Sequence, residues 1–105
     1  TCHWAYTHLL PLFGAMHQPT RVVRDGNLIT AGGVTSGIDF AIELIAAISG
    51  EDVARTIQLA LEYDPAPPFG GGSLAHSKEE TVRRLRADVY DQAAAEMEIA
   101  IKAIF

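Results

Sequence analysis

The segment that most limits what this chain can fold into is Arg21-Val22-Val23-Arg24-Asp25-Gly26-Asn27-Leu28-Ile29-Thr30-Ala31-Gly32-Gly33-Val34-Thr35-Ser36-Gly37-Ile38-Asp39-Phe40. Two short β-branched or apolar runs flank Asp25-Gly26. That dipeptide tolerates the positive φ of a tight type I′ turn, so residues 20–31 read as a β-hairpin. Gly32-Gly33 lets the chain reverse after the second strand. Ser36, with an acid three residues on at Asp39, fits a capping box that opens a helix.

The rest of the chain is mostly helical in pattern. Thr1-Cys2-His3 reads as the end of a strand. Trp4, Tyr6, Leu9, Leu10 and Phe13 then recur at three- and four-residue spacing, which predicts a short amphipathic helix over 4–13. Pro11 strains its interior and Gly14 can stop it. Residues 37–49 are apolar almost all round, interrupted only by Asp39 and Glu43, as in a helix buried against a sheet or partner. Ser49-Gly50-Glu51-Asp52 breaks and restarts the helix. Val53, Ile57, Ala60 and Leu61 give the next one a single apolar face.

Tyr63 to Gly72 holds three prolines and three glycines and excludes regular structure. Its first part, 63–69, is expected to be an ordered strap anchored at both ends by Tyr63 and Phe69, with Gly70-Gly71-Gly72 as the hinge. Ser77 and Glu80 suggest a second capping box. Val82, Leu85, Val89, Ala93, Met97, Ala100 or Ile101, and Ile104 predict one long helix over 78–104 with a continuous stripe. The expected organisation is a core part over 1–62, a Pro/Gly-rich connector over 63–76 and a C-terminal helix over 77–105. One hairpin cannot cover so many apolar helical faces, and a lone hairpin is marginal in water. The inventory therefore reads as part of an α/β domain whose remaining sheet lies elsewhere.

Composition narrows function by exclusion. A formal charge of −5 gives no electrostatic case for nucleic acid or an anionic membrane. No apolar run reaches the ~20 residues of a membrane span. One cysteine rules out an internal disulfide, and the cytoplasm is the expected compartment. His3, His8, His17 and His76 match no metal-ligand spacing, and Gly32-Gly33 lacks the lysine of a phosphate loop, so neither a metal nor a cofactor is expected.

Four segments carry a family resemblance. Thr1-Cys2-His3-Trp4-Ala5-Tyr6, the hairpin over Arg21–Asn27, the run Gly32–Phe40, and Gln58-Leu59-Ala60-Leu61-Glu62-Tyr63-Asp64-Pro65-Ala66-Pro67-Pro68-Phe69 resemble the DJ-1/PfpI superfamily in its isonitrile hydratase branch. The first and third also resemble sensing domains of AraC-type regulators; the proline-rich run points more sharply to the hydratases. The resemblance implies the C-terminal half of a flavodoxin-like α/β sandwich. It also implies a cysteine nucleophile upstream of Thr1 that attacks the isocyanide carbon, water then completing an N-substituted formamide. Cys2 falls where the family commonly has threonine, so it does not inherit that role. A ligand-sensing domain and a non-catalytic oligomeric protein remain the competing readings.

Within the chain, His3 is the candidate auxiliary residue, placed near the missing cysteine by the resemblance. Gly33, Thr35 and Ser36 are candidate pocket-lining residues for a small-molecule substrate. Cys2 and His3 are adjacent and point to opposite faces of a strand, so they do not form a nucleophile–base pair. Asp39 and Glu43 read as a helix cap and a partly solvated face, and Arg83, Arg84 and Arg86 as solvated charges. The uncovered apolar faces predict either a homo-oligomer or a partner half.

Overall fold

The computed structural model describes all 105 residues, Thr1–Phe105. It comprises two compact units. One contains Thr1 and Pro19–Pro67; the other contains Cys2–Gln18 and Pro68–Phe105. Residues 2–18 thus group with the C-terminal helices rather than with the hairpin that follows them.

In the first unit, strands β1 (Val22–Asp25) and β2 (Leu28–Ala31) pair antiparallel, Val22 opposite Ala31 and Asp25 opposite Leu28. The two loop residues are therefore Gly26-Asn27, one position later than the expected Asp25-Gly26. Positive φ occurs at Gly26 (61°) and not at Asn27, the pattern of a type II′ rather than a type I′ turn. The Gly32 N–H donates to the Arg21 carbonyl (2.9 Å) and closes the base of the hairpin.

Helix α1 (Ser36–Ser49) packs on both strands and on α2 (Glu51–Ala60). Gly50, with φ of 93°, separates them, and its N–H donates to the Ala46 carbonyl. The expected capping box does not form. Ser36 is already helical, Thr35 is the N-cap, and no side chain caps the end. Asp39 has other partners, described below. Only Ser36 in α1 and Ala54 in α2 are fully buried. The apolar surface of α1 is left half-covered, and Ile48 is 75% exposed.

In the second unit, Trp4–Phe13 is helical with the predicted boundaries but is wound as a 3₁₀-helix. Pro11 has no N–H to pair with Thr7, which removes an α-helical hydrogen bond from the interior. The helix nevertheless runs past Pro11 and ends at Gly14 in the left-handed conformation, φ 73°. His3 caps its start, so residues 1–3 lead into a helix rather than closing a strand. Ala5 and Leu9 face inward.

The long helix forms as expected, but in three pieces: α3 (Glu79–Leu85), a π-helical turn (Arg86–Tyr90) and α4 (Asp91–Ile104). The wide turn adds a residue to the repeat and shifts the inward register. Tyr90, not Val89, therefore meets the 3₁₀-helix, and Val89 is 55% exposed. The Ser77–Glu80 capping box is also absent. The Ser77 hydroxyl lies 2.6 Å from the carbonyls of both Gly71 and Ser73, and Glu80 pairs with Arg83 at 2.8 Å. Phe69 is 84% exposed, so it does not anchor the strap; Tyr63 does, at the other end. No helix is long and apolar enough to cross a membrane.

Candidate functional site

In the first unit, a cluster of side-chain hydrogen bonds adjoins the Gly-rich turn between β2 and α1. Gly33 adopts a φ of 76° and swings the chain from the strand into the helix. This leaves Thr35 exposed at the N-cap and Ser36 buried at 1% exposure. One helical turn on, Asp39 meets Arg21 from the foot of the hairpin, Nε to Oδ2 at 2.5 Å. The same guanidinium donates from Nη2 to Thr35 Oγ1 at 3.3 Å. The second Asp39 oxygen, Oδ1, accepts the phenolic hydrogen of Tyr63.

Tyr63 reaches Asp39 because of how α2 ends. The Tyr63 N–H donates to the Gln58 carbonyl (3.0 Å) and the Glu62 N–H to the Leu59 carbonyl (2.9 Å). This is the paired pattern of a Schellman motif. Glu62 takes the left-handed position, φ 51°, where glycine is the usual residue. The turn thereby directs the chain back toward α1.

The electrostatics follow from these contacts. The Arg21 hydrogen bond, with help from Tyr63, holds the Asp39 carboxyl below its ordinary value, and its side chain is 25% exposed. The Asp39 anion in turn pushes the Tyr63 phenol up. With one hydrogen bond on each oxygen, Asp39 is held in place as an anion. Asp39 and Tyr63 escaped the sequence reading as a pair. Asp39 in a first turn resembles a dipole cap, and its partners lie 18 residues before it and 24 after it. The available signal was an acid inside an otherwise apolar helix.

In the second unit, His3 sits among Trp4, Tyr6 and Tyr90, with ring centroids 5.5, 5.9 and 5.1 Å away. Arg86 lies over the Trp4 ring at 5.6 Å. His3 Nδ1 accepts the Ala5 N–H at 3.3 Å, which places the proton of a neutral ring on Nε2. His3 can therefore donate a hydrogen bond from Nε2 while it caps the helix. Beside it, Cys2 is half-buried, burial pushes its thiol up, and its Sγ points to the His3 carbonyl at 3.6 Å. A thiol kept protonated is a poor nucleophile. No group of three His, Cys, Asp or Glu side chains is placed to hold a metal ion.

No family model matches the sequence. The chain is 45% identical to an isonitrile hydratase of Pseudomonas putida, over 94% of this chain and 48% of that protein. It therefore spans about half the length of that curated relative. It also superposes with a TM-score of 0.78 and 38% identity on the crystal structure of a ThiJ/PfpI family protein from Pseudomonas syringae, covering 89% of this chain and 40% of that one. A hairpin leading through a glycine turn into paired helices, on that template, defines an α/β fold of the ThiJ/PfpI class. The chain belongs to the DJ-1/PfpI superfamily and is similar in sequence to an isonitrile hydratase.

Proposed function

We propose that this chain forms part of a DJ-1/PfpI domain that hydrates isonitriles, R–N≡C plus water giving R–NH–CHO. The identity of 45% with an isonitrile hydratase across 94% of the chain carries this reading. The nucleophile is a cysteine that these residues do not contribute, because their one thiol is half-buried and held protonated beside a helix cap. In this reading the chain supplies the Gly33–Thr35 turn to the substrate pocket, and His3 is an auxiliary donor from Nε2. The apolar surface at Ile48, Leu59, Ile99 and Ile104 is covered in an assembly, either by another copy or by the rest of such a domain. A folded monomer in micromolar sedimentation runs would contradict that last point.

The direct test is a chimera. The matched segment of the Pseudomonas putida enzyme is replaced by residues 1–105, and formamide production from an alkyl isonitrile is followed by NMR. Retained turnover supports the reading. A folded but inactive chimera would favour a ligand-sensing or purely structural role.

A further inference from the structure

We propose that Arg21 is a positioning residue that turns the Thr35 hydroxyl outward as a hydrogen-bond donor for a small neutral acceptor. The ligand's identity, an isocyanide carbon or the carbonyl oxygen of an N-substituted formamide, rests on the hydratase reading above. Two observations carry the inference. First, a guanidinium has five donors and no acceptor, so at 3.3 Å from Arg21 Nη2 the Thr35 oxygen can only accept. The guanidinium cannot rotate away freely, because its Nε is bound to Asp39, whose other oxygen is taken by Tyr63. Thr35 thus finds no acceptor in this cluster, and its proton is left for something outside it. Second, Thr35 is the N-cap of α1 yet its side chain does not cap. A threonine there ordinarily accepts an N–H from the first turn. The Thr35 backbone is already helical, φ −74° and ψ −24°, so its hydroxyl is not directed at those N–H groups and stays free of the helix end. The surroundings are open, since Thr35 and Gly33 are exposed and a Cβ at Gly37 would meet nothing within 4 Å. A hydroxyl donor in open space takes acceptors and not ammonium groups, and the Arg21–Asp39 ion pair behind it has no net charge that would favour an anion over a neutral acceptor.

Three-bond couplings to the Thr35 methyl carbon report its χ1 rotamer directly in the intact chain. The expected result is one rotamer in the wild type and averaging in Arg21→Lys, which keeps the charge beside Asp39 but loses the planar fork. Averaging in the wild type, or an unchanged single rotamer in Arg21→Lys, would overturn the positioning role. Titration with N-methylformamide, with methylammonium as control, reads the ligand. Amide shifts at Gly33–Gly37 are expected with the formamide alone. Binding should weaken about tenfold in Thr35→Val, the worth of one hydrogen bond, and survive in Thr35→Ser. If Thr35 is held but only N-methylacetamide binds, the hydratase reading fails while the role of Arg21 stands. If Thr35 is held and no neutral acceptor binds, the proposed recognition is wrong.

Discussion

The Tyr63 phenol donates its hydrogen to Asp39 Oδ1, tying the residue just beyond α2 to the first turn of α1. Both groups are shifted by the contact, and the signs differ. Asp39 is lowered, chiefly by the Arg21 hydrogen bond, so its contribution is fully present above the unfolded carboxyl value of about 3.9. It is lost as pH falls through the folded value. Tyr63 is raised, chiefly by Asp39, so its contribution is present below about pH 10 and lost as pH rises through the folded value. Urea melts of wild type and Asp39→Asn should therefore converge at low pH. Tyr63→Phe should remove part of the alkaline loss and shrink the acid limb only in part, because Arg21 is the larger cause of the Asp39 shift.

Glu62 holds a left-handed backbone, φ 51°, in a Schellman turn that suits glycine. Glu62→Gly should raise stability by about 0.5–1 kcal/mol through relief of that conformation, with some of the gain offset by the freer unfolded chain. The Tyr63–Asp39 hydrogen bond should survive, as seen from an unchanged alkaline limb.

Gly71 and Phe69 reverse the expectation drawn from their residue types. Gly71 has φ of 94°, and an added Cβ would lie 3.5 Å from the His76 carbonyl oxygen. Gly71→Ala should cost about 1–3 kcal/mol. Phe69→Ala should cost little, because the ring is already exposed. Chemical denaturation of the two variants side by side checks the order.

Much of the local structure was legible because it is written in local chemistry. The hairpin, the helix over 4–13 and the long helix over 78–104 follow from β-branched runs, glycine stops and apolar periodicity. What escaped depends on contacts between distant residues. Ser36 and Asp39 have the spacing of a capping box, but Arg21 and Tyr63 offer Asp39 stronger partners than the helix end does. Ser77 likewise turns to the carbonyls of Gly71 and Ser73. The π-turn could not be read from the stripe, since one extra residue leaves three- and four-residue spacings on either side intact. The family was legible from four motifs, whereas the Arg21–Asp39–Tyr63 cluster that supports the candidate turn was not.

That π-turn makes its own prediction. Tyr90 packs on His3, Trp4 and Tyr6, the last two edge-on. Aromatic pairs contribute about 0.5–1.5 kcal/mol each beyond area, so Tyr90→Ala should destabilise this unit by about 2 kcal/mol after allowance for partial exposure. Tyr90→Phe keeps the ring contacts and should be close to neutral. Val89→Ala, on the displaced face, should have a small effect, which thermal melts can resolve.

Formamide formation from an alkyl isonitrile, measured for residues 1–105 and for the chimera, each with and without Cys2→Ser, tests the proposed role most directly. The expected result is no turnover by residues 1–105 alone, and turnover by the chimera that Cys2→Ser leaves intact. Turnover by residues 1–105 that disappears with Cys2→Ser would make Cys2 the nucleophile and contradict the proposal.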